Sequence, residues 1–71
     1  MGAKEHVMSN LARHRKAAGL TQEQLAERVD VTRQTIIAIE KGNYVPSVLL
    51  ALKIACVFNT TVERIFYYED K

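Results

Sequence analysis

The stretch LTQEQLAERVDVTRQTIIAIEKG, from Leu20 to Gly42, leaves this chain few ways to fold. Thr21 is a good helix N-cap, and Gln24 three residues later completes a capping box. Leu25, Ala26 and Val29 then fall on one face of a helix. Asp30-Val31-Thr32 breaks that period. Thr32 is a second N-cap, and Ile36 and Ile39 give the next helix its inner face. Gly42 stands where a left-handed residue closes a helix. The stretch therefore predicts two short helices joined by a turn of about three residues.

Around this stretch the chain has little room. Its 71 residues make one domain, small enough that association with a second copy would help its core. The formal net charge of +2 is unevenly spread. Lys4, Arg13, Arg15 and Lys16 oppose only Glu5 in the first twenty residues, and Glu69-Asp70-Lys71 is an acidic end. The placement of charge, rather than its total, must carry any argument about polyanions. Cys56 is the single cysteine, which excludes an internal disulfide or a cysteine metal cluster and fits a reducing cytoplasm. No apolar run approaches the ~20 residues needed to span a bilayer, and the N-terminus lacks the apolar core of a signal peptide.

The remaining segments read in order. Residues 1–8 show no clear pattern and are expected to be an N-terminal arm or a strand, with Met8 a candidate start. A first helix is expected from about Ser9 to Ala18, capped by Ser9 or Asn10 and stopped by Gly19. Leu11, His14 and Ala18 face inward in that helix, with Arg15 beside them. His14 reads as a core-edge histidine with a hydrogen-bond partner, because no second metal ligand follows at i+4. After Gly42, Asn43-Tyr44-Val45-Pro46 is a loop, and Ser47 caps a helix running to about Phe58. That helix is apolar all round. Val48, Ala51, Leu52, Ala55 and Phe58 form one stripe, Leu50, Ile54 and Val57 a second, and Leu49 is apolar too, so it must be covered on more than one side. Asn59 is a left-handed stop. Thr61 caps a last short helix, Val62 to about Phe66, with Val62, Ile65 and Phe66 inward. Tyr67-Tyr68 suits a short strand or packed edge. The expectation is an all-α, compact five-helix bundle spanning residues 9–68, with a short C-terminal strand as an option and 69–71 as a charged end.

Two helices with so tight a turn fit a helix-turn-helix, here residues 21–40, whose second helix can enter a DNA major groove. The chain resembles the Cro-like, or Xre-type, phage-repressor DNA-binding domain. The resemblance covers about Asn10 to Phe66 and rests on four motifs in order. These are Thr21-Gln22 followed by Leu25-Ala26, Thr32-Arg33-Gln34-Thr35-Ile36, Ile39-Glu40 with Gly42, and Pro46-Ser47. It is strongest for the short stand-alone bacterial regulators of the family.

The resemblance implies roles for matching positions. Gln22 matches the residue that holds a phosphate. Thr32, Arg33, Gln34 and Thr35 match the N-terminal end of the recognition helix, and Ala38 a further groove-facing position. Lys41, Asn43 and Tyr44 match the loop that follows the DNA backbone. Arg15 and Glu40 match a structural ion pair between helices one and three. Three departures stand out: Asp30 where the turn usually has glycine, apolar Ile37 and Leu49 where polar residues are usual, and His14 for an aliphatic residue.

These roles have a chemical basis. A helix N-terminus offers free N–H groups and a positive dipole end to phosphate. Arg33 can donate two bonds to guanine O6 and N7, Gln34 can pair with adenine N6 and N7, and Ile37 and Ala38 can touch thymine methyls. The competing reading makes Arg33 and Gln34 ordinary solvated helix residues. Arg15 can be read as a DNA contact or as the partner of Glu40, and the pair is the better reading, since a buried carboxylate needs one. Tyr44 can meet DNA or stack inside its loop. No Gly-rich phosphate loop, paired nucleophile and base, or metal-ligand spacing supports an enzyme, so no catalytic residue, metal or cofactor is assigned. Cys56 reads as a small core residue.

Two functions are carried forward. In one, the chain is a sequence-specific cytoplasmic regulator, most simply a repressor. It binds a palindromic operator in double-stranded DNA as a homodimer, with helix 33–40 in the major groove. The expected dimer surface is Leu50, Ile54, Val57, Ile65, Phe66, Tyr67 and Tyr68. In the other, it is an antitoxin-like module that masks another protein, favoured by apolar Ile37 and Leu49.

Overall fold

The structure, a computed structural model, describes residues 5–70. Five helices follow in chain order: α1 (Leu11–Ala17), α2 (Gln22–Val29), α3 (Arg33–Glu40), α4 (Val48–Val57) and α5 (Val62–Ile65). They are bracketed by two strands, β1 (Glu5–Ser9) and β2 (Phe66–Asp70).

The helices start where side-chain acceptors stand ready. Thr21 Oγ1 accepts the Gln24 N–H at 3.0 Å, and Gln24 Oε1 accepts the Thr21 N–H at 2.9 Å, so the capping box closes reciprocally. Thr32 Oγ1 accepts the Thr35 N–H at 3.3 Å, and Ser47 Oγ accepts the Leu50 N–H at 3.1 Å. At α1, Ser9 Oγ accepts the Leu11 N–H at 3.0 Å, while the Asn10 backbone N–H donates to Ile65 O at 2.7 Å. That last bond ties the start of α1 to the end of α5.

The first four helices end alike. Gly19, Asp30, Gly42 and Asn59 all have positive φ, of 74°, 62°, 79° and 53°. The residue after each donates its N–H back to a carbonyl five residues earlier: Leu20 to Arg15, Val31 to Ala26, Asn43 to Ala38 and Thr60 to Ala55. This satisfies carbonyls that the helix itself leaves free and turns the chain sharply. Sharp, similar stops allow short helices to pack about one centre, where Leu11, Leu25, Ile36, Ile39, Ile54 and Ile65 are fully buried.

The two strands are antiparallel, pairing Ser9 with Phe66, Val7 with Tyr68 and Glu5 with Asp70. Phe66 is buried, and Val7 packs against the core, so the ribbon seals one end of the bundle. Residues 5–8, expected as part of an arm or as a strand, are strand. The rest of the expected arm, residues 1–4, and Lys71 of the charged end lie outside the described residues.

Four expectations change. Ala18 is exposed, because α1 has already ended at Ala17. The two stripes expected on α4 do not divide its surface. Leu50, Ala51, Ile54 and Ala55 are buried, whereas Val48, Leu49, Leu52 and also Cys56 are exposed. Cys56 is therefore a surface thiol. The expected dimer surface is largely interior: Ile54 and Ile65 are fully buried, and Leu50 and Phe66 nearly so. Val57 is half-buried against the same core, leaving Tyr67 and Tyr68 exposed. Leu50 and Ile54 are one helical turn apart, and both go to the centre because α2 and α5 pack against that side of α4.

Candidate nucleic-acid interface

Helix α3 is held by one face and open on the other. Ile36 and Ile39 are buried, which leaves Arg33, Gln34, Ile37, Ala38 and Lys41 on the outer side at helical spacing. Arg33, Gln34 and Lys41 are exposed, and Ile37 and Ala38 are half-buried. Thr32, also exposed, is spent on capping: its hydroxyl takes the Thr35 N–H and lies 3.2 Å from the Thr35 hydroxyl. The first turn of α3 thus carries a guanidinium and an amide on a capped, rigid end. That end also has free N–H groups and the positive end of the helix dipole.

Beside it lies the start of α2. An open cleft of about 600 Å³ separates the two N-termini, lined by Arg15, Gly19, Leu20, Thr21, Gln22, Glu23 and Arg33. Behind the cleft is an ion pair. Arg15 Nε donates to Glu40 Oε2 at 2.6 Å and Arg15 Nη2 to Glu40 Oε1 at 3.2 Å, with side chains only 11% and 9% exposed. The two bonds run side by side, the geometry that best suits guanidinium to carboxylate. Arg15 Nη1 also donates to Leu20 O at 2.9 Å, and Gln22 Nε2 donates to Glu40 Oε1 at 3.1 Å. One network thereby joins α1, the loop after it, α2 and α3. Among the described residues no buried side-chain polar atom lacks a partner.

Beyond α3 the loop exposes Lys41, Asn43 and Tyr44 next to the recognition face. His14, expected at the core edge, is half-buried, with Nδ1 3.1 Å from Asn10 O and its ring 6.0 Å from that of Phe58. Two features were not anticipated from the sequence. One is the Gln22–Glu40 bond. The other is a run of exposed apolar residues from the loop into α4: Tyr44, Val45, Val48, Leu49 and Leu52. The surplus of apolar residues on α4 was the available signal for the second; nothing local signals the first.

A capped helix, a left-handed turn and a second capped helix with a polar outer face define a helix-turn-helix DNA-binding fold. The helix-turn-helix family model matches residues 11–65, and the chain belongs to this family, in its Xre- and Cro-like form. It is 55% identical over 62 residues to an uncharacterized HTH-type transcriptional regulator of Methanocaldococcus jannaschii, covering 87% of this chain and 94% of that protein. It is 57% identical over 53 residues to the uncharacterized HTH-type transcriptional regulator YgzD of Bacillus subtilis, covering 75% and 80%. A crystal structure of the transcriptional regulator VanUg superposes with a TM-score of 0.75 at 20% identity, covering 94% of this chain and 89% of that one, which establishes a shared fold.

Proposed function

We propose that this chain represses transcription by binding a palindromic operator as a homodimer, with α3 in the major groove of each half-site. The observation that carries the reading is the outer face of α3, where Arg33 and Gln34 stand free on a capped first turn beside the N-terminus of α2. Arg33 and Gln34 read base edges, with Thr35, Ile37 and Ala38 beside them, and Gln22, Thr32, Lys41, Asn43 and Tyr44 hold phosphates. No reaction, metal or cofactor enters this reading. The protein works in the cytoplasm, on the nucleoid when bound.

The second copy is assigned to the exposed apolar run rather than to the residues expected from the sequence. Val45, Val48 and Leu49 are 66%, 77% and 62% exposed, and with Leu52 they make an apolar patch bordered by Lys53. Four such residues expose on the order of 400 Å², the size of patch that in a monomer marks an interface. Across a two-fold axis a residue of one copy meets a second residue of the other, and the reverse, a pairing that apolar side chains satisfy without matched charges. Val45 lies five residues past the end of the recognition helix, so this contact would fix the two copies of α3 relative to one another. Tyr67 and Tyr68, exposed on β2, remain the only part of the originally expected surface open to a partner.

The same patch favours the second reading, in which it covers a different protein, as an antitoxin-like module would. Selecting bound duplexes from a random DNA pool separates the two. Enrichment of an inverted repeat, lost at high salt, is the expected result. No enrichment at low salt, from a folded protein, would leave the interaction module as the better account.

A further inference from the structure

Glu40 is doubly engaged. Its carboxylate takes two bonds from Arg15, and Oε1 also accepts from Gln22 Nε2 at 3.1 Å. Glu40 does not line the cleft between α2 and α3, but Gln22 does. The Gln22 amide therefore spans from a buried carboxylate to an open, N–H-rich cleft.

A primary amide has two N–H donors on one end and an acceptor on the other. A free glutamine turns either end outward. Facing phosphate, the wrong end sets oxygen against anionic oxygen. An ionised carboxylate can only accept, so Glu40 selects the orientation with Nε2 inward. Reversing the amide would lose that bond and bring Oε1 against Glu40. With one N–H on Glu40, the second N–H of Nε2 remains for a ligand. Arg15 neutralises the carboxylate, so this arrangement adds no net negative charge beside DNA.

We propose that Glu40 is a positioning residue for DNA: it fixes the Gln22 amide so that the second Nε2 N–H, and not Oε1, meets a backbone phosphate. This rests on the proposed DNA-binding function and assigns Glu40 a role besides pairing Arg15. It also makes Gln22 a preorganised contact, with side-chain freedom lost on folding rather than on binding.

The test combines side-chain amide relaxation with DNA binding. In the free wild-type chain, the Gln22 amide should be nearly as ordered as the backbone, with an order parameter of about 0.8, whereas flexible groups fall below about 0.6. Gln22→Ala should weaken binding to any duplex roughly three- to tenfold per half-site, the worth of one hydrogen bond, and leave the salt slope unchanged, because a neutral amide displaces no counterion. Removing the acceptor requires removing Arg15 too, because an unpaired buried charge can unfold the chain. Arg15→Met with Glu40→Met replaces the pair by apolar groups. It should free the Gln22 amide and weaken binding as much as Gln22→Ala, and adding Gln22→Ala should then cost nothing further. Additive losses, or a Gln22 amide that stays ordered in the double variant, would overturn the proposal. Should the double variant not fold, the wild-type amide decides: a mobile Gln22 overturns the proposal, and an ordered one with a weakened Gln22→Ala supports it. Failure of the wild-type chain to bind any duplex would instead sink the DNA-binding reading, while the order parameter still reports whether Glu40 anchors Gln22.

Discussion

Arg15 Nε stands 2.6 Å from Glu40 Oε2, joining the middle of α1 to the last residue of α3. Both side chains are about nine-tenths buried. A pair like this need not add net stability, because both ions have left water, but breaking it on one side is costly. Glu40→Ala should lower stability by about 3–5 kcal/mol, leaving Arg15 buried without a carboxylate. Chemical denaturation measures this. A midpoint within error of the parent would mean that water reaches Arg15 freely.

Asp30 closes α2 with φ 62° and ψ 48°, in the left-handed region that glycine adopts without a Cβ penalty. Among the described residues its side chain makes no hydrogen bond that would offset the strain. Asp30→Gly should therefore raise stability by up to ~1 kcal/mol, despite the greater freedom glycine gives the unfolded chain. A lower melting temperature for this variant would show that unfolded-state entropy outweighs the strain.

Which parts of the molecule were legible in the sequence follows from the range of the forces involved. The caps Thr21, Thr32 and Ser47 bond three residues ahead, and the left-handed stops at Gly19, Asp30, Gly42 and Asn59 are set by local backbone sterics. The buried face of α2 is readable because Glu27 and Arg28 separate its apolar residues, and that of α3 because Ile36 and Ile39 recur at helical spacing from the Thr32 cap. On α4 that contrast is missing. Leu49 and Leu50 look alike as residues, and only the positions of α2 and α5 bury one and expose the other. Likewise β1 depends on partners at the far end of the chain, and the Gln22–Glu40 bond joins residues 18 apart. The recognition helix is legible from its motif, whereas its network with α2 joins side chains that only the fold brings together.

The apolar patch leads to a third prediction. Leu49 is well exposed in the single chain, so Leu49→Glu should leave the monomer's stability within about 0.5 kcal/mol. In a two-fold contact the same change buries one unpaired carboxylate from each copy in an apolar seam. Sedimentation at micromolar concentration should show a dimer for the parent and a monomer for the variant. A dimer that persists in Leu49→Glu would move the contact elsewhere, with exposed Tyr67 and Tyr68 on β2 the next surface to alter.

The last prediction separates contacts that hold DNA from contacts that read it. Two recognition helices of a dimer should enter successive major grooves about 34 Å apart. Lys41 is exposed at the first position past α3, where a flexible ammonium meets phosphate without regard to sequence. Lys41→Ala should weaken binding to every duplex alike and reduce the salt slope by about one unit. Arg33, in the first turn of α3, has the fork geometry for guanine. Arg33→Ala should cost roughly 1–3 kcal/mol per half-site and relax preference at one base pair. Both variants can be titrated against the selected operator and a scrambled duplex at two salt concentrations. If Arg33→Ala lowers affinity for both duplexes equally, Arg33 holds phosphate across the cleft it shares with Gln22. Base reading would then fall to Gln34, Thr35, Ile37 and Ala38 on the same open face.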